Sequence, residues 1–143
     1  MYQIVDYEKD DFYITSDSSK LDIEAVCLLL SNSYWASSRP RDVIVKSLKN
    51  SLCFSIFHKE KQIGLVRVIT DGATFAYLCD VIIDEKYRHN KLGTWLLECV
   101  LSHPDLQNLN RFFLATKDAH DFYKKFGFHS LKNPEKFMEG IYE

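Results

Sequence analysis

The sequence predicts one mixed α/β (α+β) domain, and three observations carry that prediction. Apolar residues recur at helical spacing up to about residue 48, switch to strand-like runs between about 51 and 83, and return to helical spacing afterwards. A nearly all-apolar run, ATFAYLCDVII, passes through a basic loop into an amphipathic segment, EKYRHNKLGTWLLECV, as a strand feeding a helix does. No repeat, low-complexity stretch or linker interrupts the 143 residues, so a single domain over 1–143 is expected.

Each element has its own local reason, and together they give the order β-α-α-β-β-β-α-β-α-β. In IEAVCLLLSNSYW, Ile23, Val26, Cys27 and Leu30 form one stripe, and Ser19 followed by Asp22 resembles a capping box, so a first helix is expected from about residue 20. SSRPRDVIVKSLKN reads as a short second helix, with Pro40 in its first turn and Ile44 and Leu48 on a buried face. SLCFSIFHKEKQIGLVRVIT is a hairpin turning near residues 58–62. After the turn at TDG comes the apolar run, the pattern of a central strand covered on both faces. Leu92, Trp95, Leu96, Cys99 and Val100 then share a helical face that stops near Pro104.

RFFLAT is a short buried strand, and KDAHDFYKKFGF a last helix with Ala119, Phe122, Tyr123 and Phe126 on one side. Thr116 and Asp118 are candidates to cap its start. Gly127 can take the left-handed conformation at its end, with Phe128 folding back on it. The tail KNPEKFMEGIYE is a candidate final strand.

Composition excludes several function classes. A formal net charge of −2 offers no bulk attraction for nucleic acid or an anionic membrane, so any anion site is local. The longest apolar run, residues 25–30, is too short to span a bilayer, and the N-terminus has no signal-peptide pattern. Cys27, Cys53, Cys79 and Cys99 form no CxxC pair and lie in apolar runs, which suits reduced thiols in the cytoplasm. The five histidines and four cysteines show no metal spacing, and no metal is expected.

The strand-loop-helix junction at 83–100 is a general anion site, because amides at a helix N-terminus lack partners and the helix dipole favours negative charge. It has neither the GxxxxGK[ST] nor the GxGxxG spacing of nucleotide loops. Two blocks together resemble the GCN5-related N-acetyltransferase (GNAT) superfamily. DVIIDEKYRHNKLGTWLLECV is similar to the family's strand, (Q/R)-x-x-G-x-(G/A) loop and helix, with Arg88, Lys91 and Gly93 in the three defined places. ATKDAHDFYKKFGF is similar to its late block ending in Tyr and Gly-Phe. The resemblance covers most of the chain.

The resemblance implies a central, mostly antiparallel twisted sheet flanked by about four helices. It implies acetyl-CoA as cosubstrate, with its pyrophosphate on the amides of Arg88, His89, Asn90, Lys91, Leu92, Gly93 and Thr94. The pantetheine arm would lie beside Val81, Ile82 and Ile83, helped by Thr116 where the family often has asparagine. An amine acceptor, small molecule or protein, would attack the thioester directly, and a homodimer through the C-terminal strands is compatible with the family. Family loops usually have glycine at the place of Lys91 and often at His89; here cationic side chains must point away from the amides.

Single residues carry two readings each. Tyr123 matches the family's general acid, and a neutral phenol suits protonation of a leaving thiolate; its other reading is a core aromatic. Asp80, the sole charge in its apolar run, is either a general base or a structural hydrogen-bond acceptor. His120, one turn before Tyr123, is a proton relay or a surface group. Tyr34, Trp35, Arg39 and Arg41 fall where the family walls its acceptor site and could hold an anionic or aromatic acceptor, or simply pack. The expected function is acetyl-CoA-dependent N-acetyl transfer; the alternative is a non-catalytic acyl-CoA sensor or interaction module of the same fold.

Overall fold

The structure is a computed structural model and describes residues 2–142. Six strands run in sequence order across one sheet: β1 (Asp6–Lys9), β2 (Phe12–Thr15), β3 (Leu52–His58), β4 (Lys61–Thr70), β5 (Phe75–Ile83) and β6 (Arg111–Leu114). All neighbours are antiparallel except β5 and β6, whose parallel pairing requires the intervening crossover. Among the described residues the α-helices are α1 (Ile23–Ser31), α2 (Arg41–Lys49), α3 (Leu92–Leu101) and α4 (His120–Lys124).

The sheet buries both faces. Val26, Leu29 and Leu30 of α1 and Ile44 and Leu48 of α2 pack with Cys53, Leu65 and Ile82 on one side. Leu92, Leu96, Leu97 and Val100 of α3 and Tyr123 of α4 pack with Ile14, Phe54, Val66, Ala76 and Leu78 on the other. Among the described residues no helix is long and apolar enough to cross a membrane.

A bulge in β5 reverses which residues face which core. The register passes from Leu65↔Ile82 to Arg67↔Cys79, so Asp80 and Val81 together stand opposite Val66. Ala76 and Leu78 face the α3 side, whereas beyond the bulge Val81 and Ile83 join that side and Ile82 turns to α1 and α2. Asp80 sits at φ 49°, the left-handed region that aspartate tolerates better than most residues. β4 approaches closely at Gly64, where a Cβ would stand 2.8 Å from the Ile82 carbonyl oxygen.

Several expectations are corrected. The N-terminus forms the hairpin β1–β2 in place of one strand. The first helix is capped by Asp22, whose side chain accepts from the Ala25 amide at 3.1 Å, and a separate 3-10 turn occupies Ser18–Lys20. Cys27 is half-buried on the flank of the stripe. α4 is only five residues long, and Thr116, not Asp118, supplies the acceptor at its start by bonding the Ala119 amide at 3.0 Å. Its end is as expected: Gly127 lies at φ 92°, and Phe128 packs edge-on against Phe112 and Tyr123. The tail forms no strand within the described residues, only a 3-10 turn at Pro134–Lys136, with Phe137 against Phe113.

Candidate active site

The loop between β5 and α3 keeps a glycine-like backbone without glycine. His89 and Lys91 lie at φ 71° and 60°, a conformation that costs a side-chain-bearing residue roughly 1 kcal/mol or more. Lys91 is the N-cap of α3 and makes no side-chain capping bond. The first helical amide to find a carbonyl is that of Trp95, on Lys91, so among the described residues the amides of residues 89–94 have no protein acceptor. Arg88 Nε donates to the Ile83 carbonyl at 3.1 Å and pins the loop to the end of β5. His89, Asn90 and Lys91 are exposed.

Three elements converge on this loop. A Cβ on Gly93 would lie 3.8 Å from Ile83 and 3.7 Å from Phe122, so the first turn of α3 touches both β5 and α4. The β5–β6 ladder ends at Leu78↔Leu114, which leaves residues 79–83 with no ladder partner on the β6 side. Val81, Ile82 and Ile83 therefore sit on a free backbone edge beside the bare amides.

Tyr123 is buried, 9% exposed, on α4 next to Phe122, the residue that faces Gly93. Burial pushes its phenol up to about 12, with a smaller push from the neighbouring Tyr34 hydroxyl. Its hydroxyl has no hydrogen-bond partner among the described residues, and with Thr116 and His120 it borders a cavity of about 750 Å³ that runs along β6 to residues 128–134. His120 is exposed and makes no hydrogen bond among the described residues.

Asp80 is the hub on the opposite face of the sheet. Trp35 Nε1 donates to its Oδ1 at 2.8 Å, while Arg39 Nη1 at 2.8 Å and Arg67 Nε at 2.7 Å both donate to Oδ2. Burial pulls the carboxyl upward, but the bonds from Arg39, Arg67 and Trp35 outweigh it and hold the group below the ordinary carboxylate value. Tyr34 meets Trp35 edge-on at 5.2 Å and carries the Lys117 ammonium 5.4 Å over its ring. Arg41 takes no part, being drawn to Glu24 at 2.6 Å. Sequence reasoning missed Arg67; the available signal was a lone charge inside the apolar strand run IGLVRVIT, which could not be paired without knowing the register.

A parallel strand pair that opens beside bare amides and a buried phenol is the arrangement of an acyl-transfer fold. The domain model described as "Acetyltransferase (GNAT) domain" matches residues 30–142, and the chain belongs to this acetyltransferase family. A GNAT-family protein of Xanthomonas campestris pv. campestris, solved by crystallography, is 38% identical, with 94% of this chain and 96% of that one aligned at a TM-score of 0.90. A Gibberella zeae protein classed by inference as an acetyltransferase is 30% identical over 94% of this chain and 88% of its own. The N-acetylglutamate synthase of Neisseria gonorrhoeae, solved with coenzyme A and N-acetylglutamate, shares the fold at a TM-score of 0.72 and 14% identity, over 90% of this chain and 30% of its own.

Proposed function

We propose that this acetyltransferase moves the acetyl group of acetyl-CoA directly to an amine, and that the amides of residues 89–94 hold the donor's pyrophosphate. The run of bare amides carries the reading, since adjacent N–H groups at a helix N-terminus favour a multiply charged anion. The free edge of residues 79–83 supports it, because an extended arm with its own amides can pair there as an added strand. So does the coenzyme A complex of the Neisseria synthase, which shares the fold. The exposed Lys91 adds a cation beside the phosphates, and the Thr116 hydroxyl keeps a proton to donate.

Tyr123 gives its proton to the departing sulfur as the carbon–sulfur bond breaks and the nitrogen–carbon bond forms. A phenol near 12 stays protonated at any working pH and so remains able to donate. A backbone amide beside the bulge steadies the carbonyl oxygen. Water takes the proton released by the acceptor's ammonium. Of its two readings from sequence, general base and structural acceptor, the second fits Asp80: it serves as an anchor for Trp35 and Arg39, since a carboxylate held low by two guanidiniums draws a proton poorly. Four free thiols favour a reducing compartment, the cytoplasm in this reading.

Calorimetric titration with acetyl-CoA and CoA, on the wild type and on Lys91→Glu, tests the donor site. Micromolar binding that weakens about tenfold on charge reversal supports it; absence of heat and of any melting shift removes it. Binding with no thiol release from any amine turns the reading to the acyl-CoA sensor.

A further inference from the structure

We infer that the acceptor is an amine that also carries an anionic group, a carboxylate or phosphate, and that Arg39 binds that group. The inference rests on the acetyl-CoA reading above and names its second substrate. Two guanidiniums meet one carboxylate at Asp80, which leaves the cluster one positive charge in excess. Arg67 is spent on the hub: its side chain is 11% exposed, and its Nη1 donates to Ser51 Oγ at 3.1 Å besides the bond to Asp80. Arg39 is not spent. Its side chain is 23% exposed, only Nη1 is engaged, and Nε and Nη2 have no side-chain or backbone acceptor among the described residues.

A guanidinium with one donor held by a buried carboxylate has its orientation restricted and keeps its remaining donors free, the arrangement that recognises a planar or tetrahedral oxyanion. The surroundings reinforce the sign. Trp35 and Tyr34, 42% and 61% exposed, wall the same loop, and the Lys117 ammonium over Tyr34 adds a second cation. From Asp80 the hydrogen bond to Trp35, the edge contact of Trp35 with Tyr34 and the Lys117 ammonium over Tyr34 lead to Thr116, the chain neighbour of Lys117, which lines the same cavity as Tyr123. Glu24, the acidic side chain of α1, is paired with Arg41, and Asp42 stands in the first turn of α2.

The test follows thiol release from acetyl-CoA with amines in matched pairs, compared at equal concentrations of free amine. The pairs are β-alanine with β-alaninamide and phosphoethanolamine with ethanolamine, and an uncharged lysine peptide is the polypeptide arm. The expected result is a kcat/KM at least tenfold higher for an anionic member than for its neutral partner. The preferred pair tells carboxylate from phosphate. In Arg39→Gln the preference falls below threefold through a raised KM for the anionic member. Arg39→Lys, which keeps the charge and loses the fork, falls between. A calorimetric Kd for acetyl-CoA within threefold of wild type shows that the variants are folded. Equal rates within each pair, a peptide acceptor that outruns all four amines, or an undiminished preference in Arg39→Gln overturns the inference while leaving the donor site standing. Failure of acetyl-CoA itself to bind overturns both.

Discussion

Trp35 and Asp80, 45 positions apart in the chain, share a hydrogen bond of 2.8 Å that ties the α1–α2 loop to the bulge of β5. Because the same carboxylate also accepts from Arg39 and Arg67, one residue positions a loop, a strand and the cationic wall of the cleft.

Asp80→Ala should therefore do more than delete a contact. It leaves two guanidiniums without their counter-ion, one of them well buried, and a loss of about 3 kcal/mol is expected. Urea denaturation measures it; a loss under about 1 kcal/mol would mean that solvent replaces the carboxylate. Trp35→Phe, which removes one neutral donor and leaves the ion pairs, should cost about 1 kcal/mol.

His89 and Lys91 invite the opposite manipulation. Both adopt the backbone glycine prefers, so His89→Gly relieves strain worth roughly 1 kcal/mol and adds unfolded-state entropy of about the same size. The double glycine variant should melt close to the wild type. Lys91→Val, placing a β-branched residue at φ 60°, should lose about 1 kcal/mol or more and bind acetyl-CoA more weakly. If thermal melts show valine tolerated and glycine harmful, the loop does not hold this conformation in solution.

Tyr123→Phe isolates the proton donor. Turnover should fall about 100-fold or more while the Kd for acetyl-CoA changes little, a loss confined to kcat. The raised phenol also predicts that kcat/KM climbs with pH as the acceptor amine deprotonates and shows no descending limb below about pH 10. A descending limb near neutrality would transfer the acid role to another group.

Acid stability follows from Asp80. Its folded carboxyl lies below the ordinary value, so it contributes stability that is complete above about pH 4 and is lost as pH falls toward the folded value. Asp80→Asn should thus be less stable than the wild type at neutrality, and the gap should narrow as pH drops below about 4. Paired melting curves across that range check it; a constant gap would show that ionisation of Asp80 contributes nothing.

Local signals explain what was readable in advance. The C-terminus of α4 was legible because Gly127 and the following Phe128 impose their geometry on the nearest turn. Ile44 and Leu48 were legible because helical spacing alone puts them on one face. The tail misled, since an apolar and β-prone stretch becomes a strand only if an edge takes it up, and nothing local decides that. The role of Asp80 divided into two readings for the same reason: a lone charge in an apolar run must be partnered, but its partners come from residues 35, 39 and 67.

The sequence by itself determined the order and type of most elements, the strand-loop-helix junction ahead of α3 as the candidate anion site and the candidate phenol of Tyr123, because each depends on residues within a turn or two of one another. Only the tertiary structure decided that His89 and Lys91 hold a left-handed backbone, that a one-residue bulge at Asp80 exchanges the two faces of β5, and that Arg39 keeps donors to spare. Those facts depend on strand register and on side chains brought together from distant positions, where the free energy of a charge is set by its neighbours in space.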